Sequence, residues 1–293
     1  MKEAWLNLRA AVTGSQSWRV YLAIALVPIN WGLEARKWQV LMRPLEQLPF
    51  FTAYKAVLAG LAFSMNTPNR IGEYGGRVLY VHEGHRWKAL SLTITGSFSQ
   101  LIVTLVMGLG GLAFLLLNTS TSAGIATYTI WVRVLVWGTI LITAVLILIY
   151  CRLGRLVEWC EKLPGAKRFM QHIAIIEELP VTILLRTMSL SFTRYMIFVF
   201  QYILLLQLFD VQVPVWHCFW LISVLYLILA ITPTIALAEA GIRGQVSLVL
   251  FTLLSANKLG IVGASTAIWL VNLVVPALVG SLLFVSLKIF SDK

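Results

Sequence analysis

The stretches 18–33, 91–117, 129–150, 189–209 and 261–287 are apolar runs. At 1.5 Å per helical residue they are long enough to cross a hydrocarbon layer of roughly 30 Å, the first only with its flanks. Residues 50–66 and 215–231 are shorter and end at Thr-Pro. With 59% hydrophobic and 12% charged residues the chain lies far from soluble domains, which are about one quarter charged. It reads as an all-α integral membrane protein, a single transmembrane domain over 1–293.

Trp18, Trp38, Trp87, Trp131 and Trp216 sit near the ends of the apolar runs, where amphipathic rings anchor at the membrane interface. The N-terminus, MKEAWLNLRAAVTGSQSW, has no small-residue cleavage pattern, and Glu34, Arg36 and Lys37 follow the first apolar run. It reads as a surface amphipathic helix and not as a removed signal peptide. The net charge of +11 fits basic loops against an anionic cytoplasmic leaflet, so membrane lipids and not nucleic acid are the expected partners. Cys151, Cys160 and Cys218 are odd in number and form no CxxC, which indicates neither a disulfide framework nor zinc. HEGH at 82–85 lacks the HExxH spacing and a third ligand, and reads as a polar loop. No metal or cofactor is expected.

Orientation follows from the basic residues. The uncharged loop 118–128 and the segment 210–216, with only Asp210, are expected outside. Segment 151–180, with Arg152, Arg155, Lys162, Lys167 and Arg168, and segment 36–43, with Arg36, Lys37 and Arg43, are expected in the cytoplasm. Within the former, Leu153, Leu156, Val157 and Cys160 recur at helical spacing, as in a helix lying on the inner leaflet before Pro164-Gly165. Parity puts the N-terminus outside, against the charges Lys2, Arg9 and Arg19.

TPNRIGEYGGR at 67–77 and TPTIALAEAGIRG at 232–244 share a pattern. Thr67-Pro68 aligns with Thr232-Pro233, and Glu73-x-Gly75-x-Arg77 with Glu239-x-Gly241-x-Arg243, at offsets of 165 and 166 residues. The same offset lays 18–38 on 184–204, 50–66 on 216–232 and 91–117 on 257–283. Two repeats are therefore expected, 18–117 and 184–287, joined by a linker helix and a cytoplasmic amphipathic segment over 129–180. If each interrupted segment enters and returns on one side, the helix 129–150 makes the second repeat inverted, a known transporter architecture. If 50–66 crosses fully, the repeats are parallel. The weak apolarity of 78–86 favours re-entry.

Pro68 and Pro233 each remove a backbone donor and disfavour helix one residue earlier, so breaks are expected at Thr67-Pro68 and Thr232-Pro233. Gly75 and Gly241 are expected to permit close backbone approach at those breaks. Freed peptide groups at membrane depth require a protein-lined or hydrated interior. Glu four residues before Arg is the favourable order for an ion pair on one helical face. Glu73–Arg77 and Glu239–Arg243 can thus be structural staples, or buried charges kept for a ligand. Arginine's planar fork suits phosphate, which makes Arg70, Arg77 and Arg243 candidate contacts with a lipid phosphate, oriented by Glu73 and Glu239. Two roles are open to Arg194: a further ligand contact, or snorkelling at the inner interface, because its run 181–209 exceeds the bilayer. Glu34, Gln100 and Asn272 read as interhelical hydrogen-bond formers.

Through NWGLEARKW at 30–38, NTPNRIGEYGGR at 66–77 and ITPTIALAEAGIRG at 231–244, the chain resembles the transmembrane region of bacterial lysylphosphatidylglycerol synthases and its free-standing, flippase-like relatives. The resemblance covers nearly the whole chain and implies movement of polar lipids between leaflets of the cell (inner) membrane. Aminoacylated phospholipids, hopanoids and polyisoprenoid carriers are the lipids it brings into view. No soluble transferase domain follows the last helix before Lys293, so synthesis of an aminoacyl lipid is not expected of this chain.

Three readings stand: a translocator of a phosphate-bearing lipid, an intramembrane lipid-modifying enzyme using Glu73 or Glu239, and a scaffold for a partner glycosyltransferase; beside membrane lipids, a lipid-modifying enzyme or a second copy of the chain is the protein partner to expect. The enzyme lacks a plausible nucleophile, metal set or donor motif, since GLGG at 108–111 lies in an apolar helix and reads as close packing. Nor is there an ATP site, so net transport would run passively or on a gradient. The topology is testable: a cysteine placed at Ser120 should label from outside the cell, and labelling from the cytoplasmic side alone would reverse the assignment.

Overall fold

The computed structural model describes residues 14, 17–65, 67–118, 129–152, 175 and 179–291. Most of the N-terminal stretch expected as a surface amphipathic helix, the amphipathic segment expected around Leu153–Cys160 and the loop 119–128 lie outside them. All regular structure among the described residues is helical. The first helix, α1 (Ser17–Met42), precedes a broken pair, α2 (Phe50–Ser64) and α3 (Gly72–Val78), with a 3₁₀ turn at Pro68–Arg70 between them. A turn at Glu83–His85 leads into α4 (Arg86–Asn118), and α5 (Thr129–Cys151) follows. Then come α6 (Val181–Leu208), α7 (Val215–Ile231), α8 (Ala236–Phe251) and α9 (Lys258–Trp269). A π-helical turn, Leu270–Val274, joins α9 to α10 (Val275–Ser291).

Four helical stretches among the described residues are long and apolar enough to cross a membrane: Glu83–Asn118, Arg133–Cys151, Val181–Leu208 and Lys258–Val285. The protein is a multi-pass membrane protein. The expected first crossing behaves differently. Its helix, α1, runs on through Glu34 and Lys37 to Met42, and both charges are buried. Lys37 is thus part of the interior and not a cytoplasmic loop cation. On α5, by contrast, Trp137, Leu141 and Leu148 are exposed, an apolar surface for lipid to cover.

The packing is reciprocal. Helix α1 lies along α6, while α2 packs against α10 and α7 packs against α4. Small residues let these backbones meet. A Cβ on Gly280 of α10 would stand 2.0 Å from the carbonyl oxygen of Leu58 on α2. A Cβ on Gly108 of α4 would stand 2.5 Å from Leu227 Cβ, and one on Gly111 2.7 Å from the Trp220 carbonyl oxygen of α7, so the GLGG run serves packing.

Helix α2 ends at Ser64 and α3 folds back along it. At 15 residues, roughly 22 Å, α2 is too short to span the hydrocarbon layer. The hairpin closes on Gly72 and Gly76, one turn apart on α3, which meet the Phe63 carbonyl and the Gly60 Cα of α2. The sequence-expected close approach at Gly75 and Gly241 does not occur: both lie inside helices, with open space where a Cβ would project. Helical phase decides this, since residues four apart share a face, and Gly75 faces away from the seam that Gly72 and Gly76 line. A Cβ on Gly76 would lie 2.5 Å from the Gly60 Cα, backbone that cannot yield. Gly76→Ala should therefore cost about 2–3 kcal/mol of stability, whereas Gly75→Ala should be neutral or stabilising by up to about 1 kcal/mol. Thermal unfolding of both variants in detergent checks the contrast.

Candidate functional site

Two breaks meet at a hydrogen-bonded junction. At the first, Thr67 Oγ1 accepts from Gly72 N at 2.8 Å and helps start α3 after the proline interruption. Asn69 and Arg70 both adopt the left-handed region, with φ of 50° and 57°. Asn tolerates that conformation, while for Arg it is uncommon and must be held by its surroundings. Those surroundings belong to the second break. Asn69 N donates to the Thr234 carbonyl at 3.0 Å, and Thr234 N donates back to Asn69 Oδ1 at 3.2 Å. The Arg70 guanidinium reaches Glu239 Oε2 at 2.6 Å. Helix α7 ends at Ile231, and α8 begins at Ala236, whose carbonyl accepts from Trp269 Nε1 at 3.1 Å.

Two ion clusters flank the breaks. In the first, Glu34 of α1 contacts Lys37 at 2.7 Å, Arg77 at 2.9 Å and Arg194 at 2.9 Å. Arg77 is also bonded to Glu73, one turn earlier on α3. Arg194 Nε donates to Asn30 Oδ1 at 3.0 Å, and its guanidinium lies 4.8 Å from the Trp31 ring and 5.1 Å from that of Phe198. In the second cluster Glu239 receives Arg70 on one oxygen and Arg243, at 2.6 Å, on the other. Arg243 stands over the Tyr226 ring at 5.6 Å.

Between the clusters is a cavity of about 360 Å³. Arg70, Arg194, Arg243 and Glu239 supply its charge, and Gln100, Asn272 and Tyr226 are among its polar walls. Asn272 is presented by the π turn, whose cause is local. Pro276 has no N–H to give the Asn272 carbonyl, so the regular hydrogen-bond ladder shifts by one residue there.

The sequence-predicted residues divide. Arg70, Arg194, Glu239 and Arg243 converge on the cavity. Glu73 and Arg77 do not line it: Arg77 is 3% exposed and paired with Glu34 and Glu73. Arg194 does not snorkel. Helix α6 continues unbroken for 28 residues, and Arg194 sits at its middle, buried against Glu34. Glu34, expected to be an isolated hydrogen-bond former, is the hub of three ion pairs. Sequence reasoning gave Lys37 no role in the interior, although Glu34-x-x-Lys37 has the spacing of a helical pair. Glu73, Glu239 and the arginines nonetheless all belong to the two clusters. His82 and His85 lie apart, beside Glu46, and the described residues contain no group of three or more metal-ligating side chains.

The lysylphosphatidylglycerol synthase TM region matches residues 2–280, nearly the whole chain. The protein belongs to that family. Neither a search of the curated proteins nor one of the solved structures found a match. Within this family member, Glu34 makes a stability test possible. Glu34→Gln leaves Lys37, Arg77 and Arg194 with Glu73 as their one carboxylate, and should cost about 3–5 kcal/mol. A sharp fall in the unfolding temperature of the purified protein is the expected result.

Proposed function

We propose that this protein moves a polar, phosphate-bearing lipid, a phospholipid or a polyisoprenoid-linked carrier, between the leaflets of the cell inner membrane. It acts as a transporter and not as an enzyme, with the lipid headgroup passing through the cavity between the two breaks. The observation that carries this reading is the convergence of Arg70, Arg194 and Arg243 on a cavity whose lining includes one carboxylate, Glu239. Guanidinium groups recognise phosphate through paired, charge-assisted hydrogen bonds, and charges kept at this depth are retained for function when they line a cavity. Membership of a lipid-associated membrane family supports the same substrate class.

The reciprocal packing, α2 on α10 and α7 on α4, supports two halves built as inverted repeats. Under the 165-residue offset Asn69 corresponds to Thr234, and these two residues bond to each other, as residues beside a pseudo-twofold axis do. Motion of one half against the other about that junction gives access from each leaflet in turn. For one ion pair the staple reading is the better one: Glu73 and Arg77, shut away from the cavity with Glu34, hold α3 against α1.

The two roles separate in one experiment. Arg194→Gln and Arg243→Gln should abolish leaflet exchange of a phosphate-bearing fluorescent lipid in proteoliposomes while leaving a folded, extractable protein. Each removes one of several cations sharing a carboxylate, and the carboxylate keeps a partner. Arg77→Ala should instead lower stability by several kcal/mol, because Glu73 loses its ion-pair partner and Glu34 one of its three. Full exchange by both cavity variants would refute the translocation reading.

A further inference from the structure

The interior ion pairs do not balance. In the first cluster Lys37, Arg77 and Arg194 share Glu34 and Glu73. In the second, Arg70 and Arg243 share Glu239. Among the described residues each cluster thus holds one cation more than it has carboxylates. An unmatched charge in a low-dielectric interior is costly unless a counter-ion meets it. The cavity is where such a counter-ion reaches both clusters at once, because Arg194 of the first and Arg70 and Arg243 of the second line it.

A second observation points to the same place. Asn272 Nδ2 and Arg243 Nε are buried donors with no hydrogen-bond partner among the described residues. Both residues line the cavity. Buried donors are rarely left unsatisfied, so a ligand rich in acceptor oxygens fits their surroundings. Arg70 is the most accessible member: its side chain is 37% exposed, so an incoming anion can reach it while Glu239 keeps Arg243 as a partner.

We infer that the cavity selects a phosphate group carrying two negative charges, a phosphomonoester or a diphosphate, over a singly charged phosphodiester. The inference rests on the reading of the cavity as a headgroup site. One negative charge answers the surplus of each cluster, Arg194 binding from one side and Arg70 with Arg243 from the other. A phosphodiester leaves one cluster overcharged, and a zwitterionic headgroup brings a cation against three arginines.

The test is a thermal-shift titration of the purified protein in nanodiscs at pH 8, where a phosphomonoester, with its second pKa near about 6, is doubly charged. The probes are phosphatidic acid, phosphatidylglycerol, phosphatidylcholine and inorganic pyrophosphate. Phosphatidic acid should half-saturate the shift at a concentration about tenfold below phosphatidylglycerol, a gain of the size one added charge-assisted contact gives. Phosphatidylcholine should give no shift. Gln100→Glu adds a carboxylate and Arg70→Gln removes a cation, so each lowers the net charge around the cavity by one, the first keeping every arginine and the second altering a partly exposed side chain. Each should narrow the preference to about threefold or less. Equal binding of phosphatidic acid and phosphatidylglycerol, or a preference that both variants leave intact, overturns the inference. Stabilisation by pyrophosphate, a trianion at this pH, without any by phosphatidic acid assigns the multiply charged phosphate to a soluble source and overturns the lipid form of the inference. Preferred dianion binding without leaflet exchange upholds the inference and ends the translocation reading; exchange indifferent to headgroup charge does the reverse.

Discussion

Glu34 holds three cations with one carboxylate, and the interior of this protein is arranged around that contact. Lys37 comes from its own helix, Arg77 from the α2–α3 hairpin and Arg194 from the middle of α6. Removing one partner of a buried pair leaves an uncompensated charge, which is why breaking such contacts costs several kcal/mol even where forming them contributes little. Glu34 therefore fixes the relative positions of three elements that come together from distant parts of the chain. Its consequence for the cavity is direct. With Arg77 drawn fully into the cluster and Arg194 drawn only partly, Arg194 is the guanidinium that remains in the cavity wall.

The second constraint is backbone proximity. Pro68 and Pro233 interrupt their helices, and the chain must then satisfy the freed peptide groups from within the protein or a wet cavity. Asn69 and Thr234 do so for each other, tying the two interruptions into one junction. Glycines bring the surrounding helices close enough for that junction to form: Gly72 and Gly76 on α3, Gly280 on α10, Gly108 and Gly111 on α4.

Much of this was legible in the sequence, because the informative signals are local. Apolar run lengths place the long helices, and Thr-Pro followed by Glu-x-Gly-x-Arg marks both breaks and both acidic residues beside them. What was not legible depends on long-range contact or on helical phase. Glu34 meets Arg77 across 43 residues, and nothing in its own neighbourhood shows that. Lys37 looks like a cytoplasmic loop cation by charge counting, yet α1 continues past it and buries it. The length of the run around Arg194 suggested an end near the interface, whereas its depth follows from its pairing with Glu34 and Asn30. Gly75 and Gly76 are adjacent in sequence, and only the start of α3 at Gly72 decides which of them faces α2. The spacing Gly72-x-x-x-Gly76, a small-residue seam, was the available signal for it.

The central claim is that Arg70, Arg194 and Arg243 hold a lipid phosphate between the two breaks. Native mass spectrometry of the protein after mild extraction from its own membrane tests this most directly, because it identifies whatever the cavity retains. Wild-type protein should carry a phosphate-bearing lipid at about one copy per chain, and an Arg194→Gln, Arg243→Gln double variant should lose it while remaining folded. Retention of the same lipid by the double variant, or of neutral lipids alone by the wild type, would contradict the account.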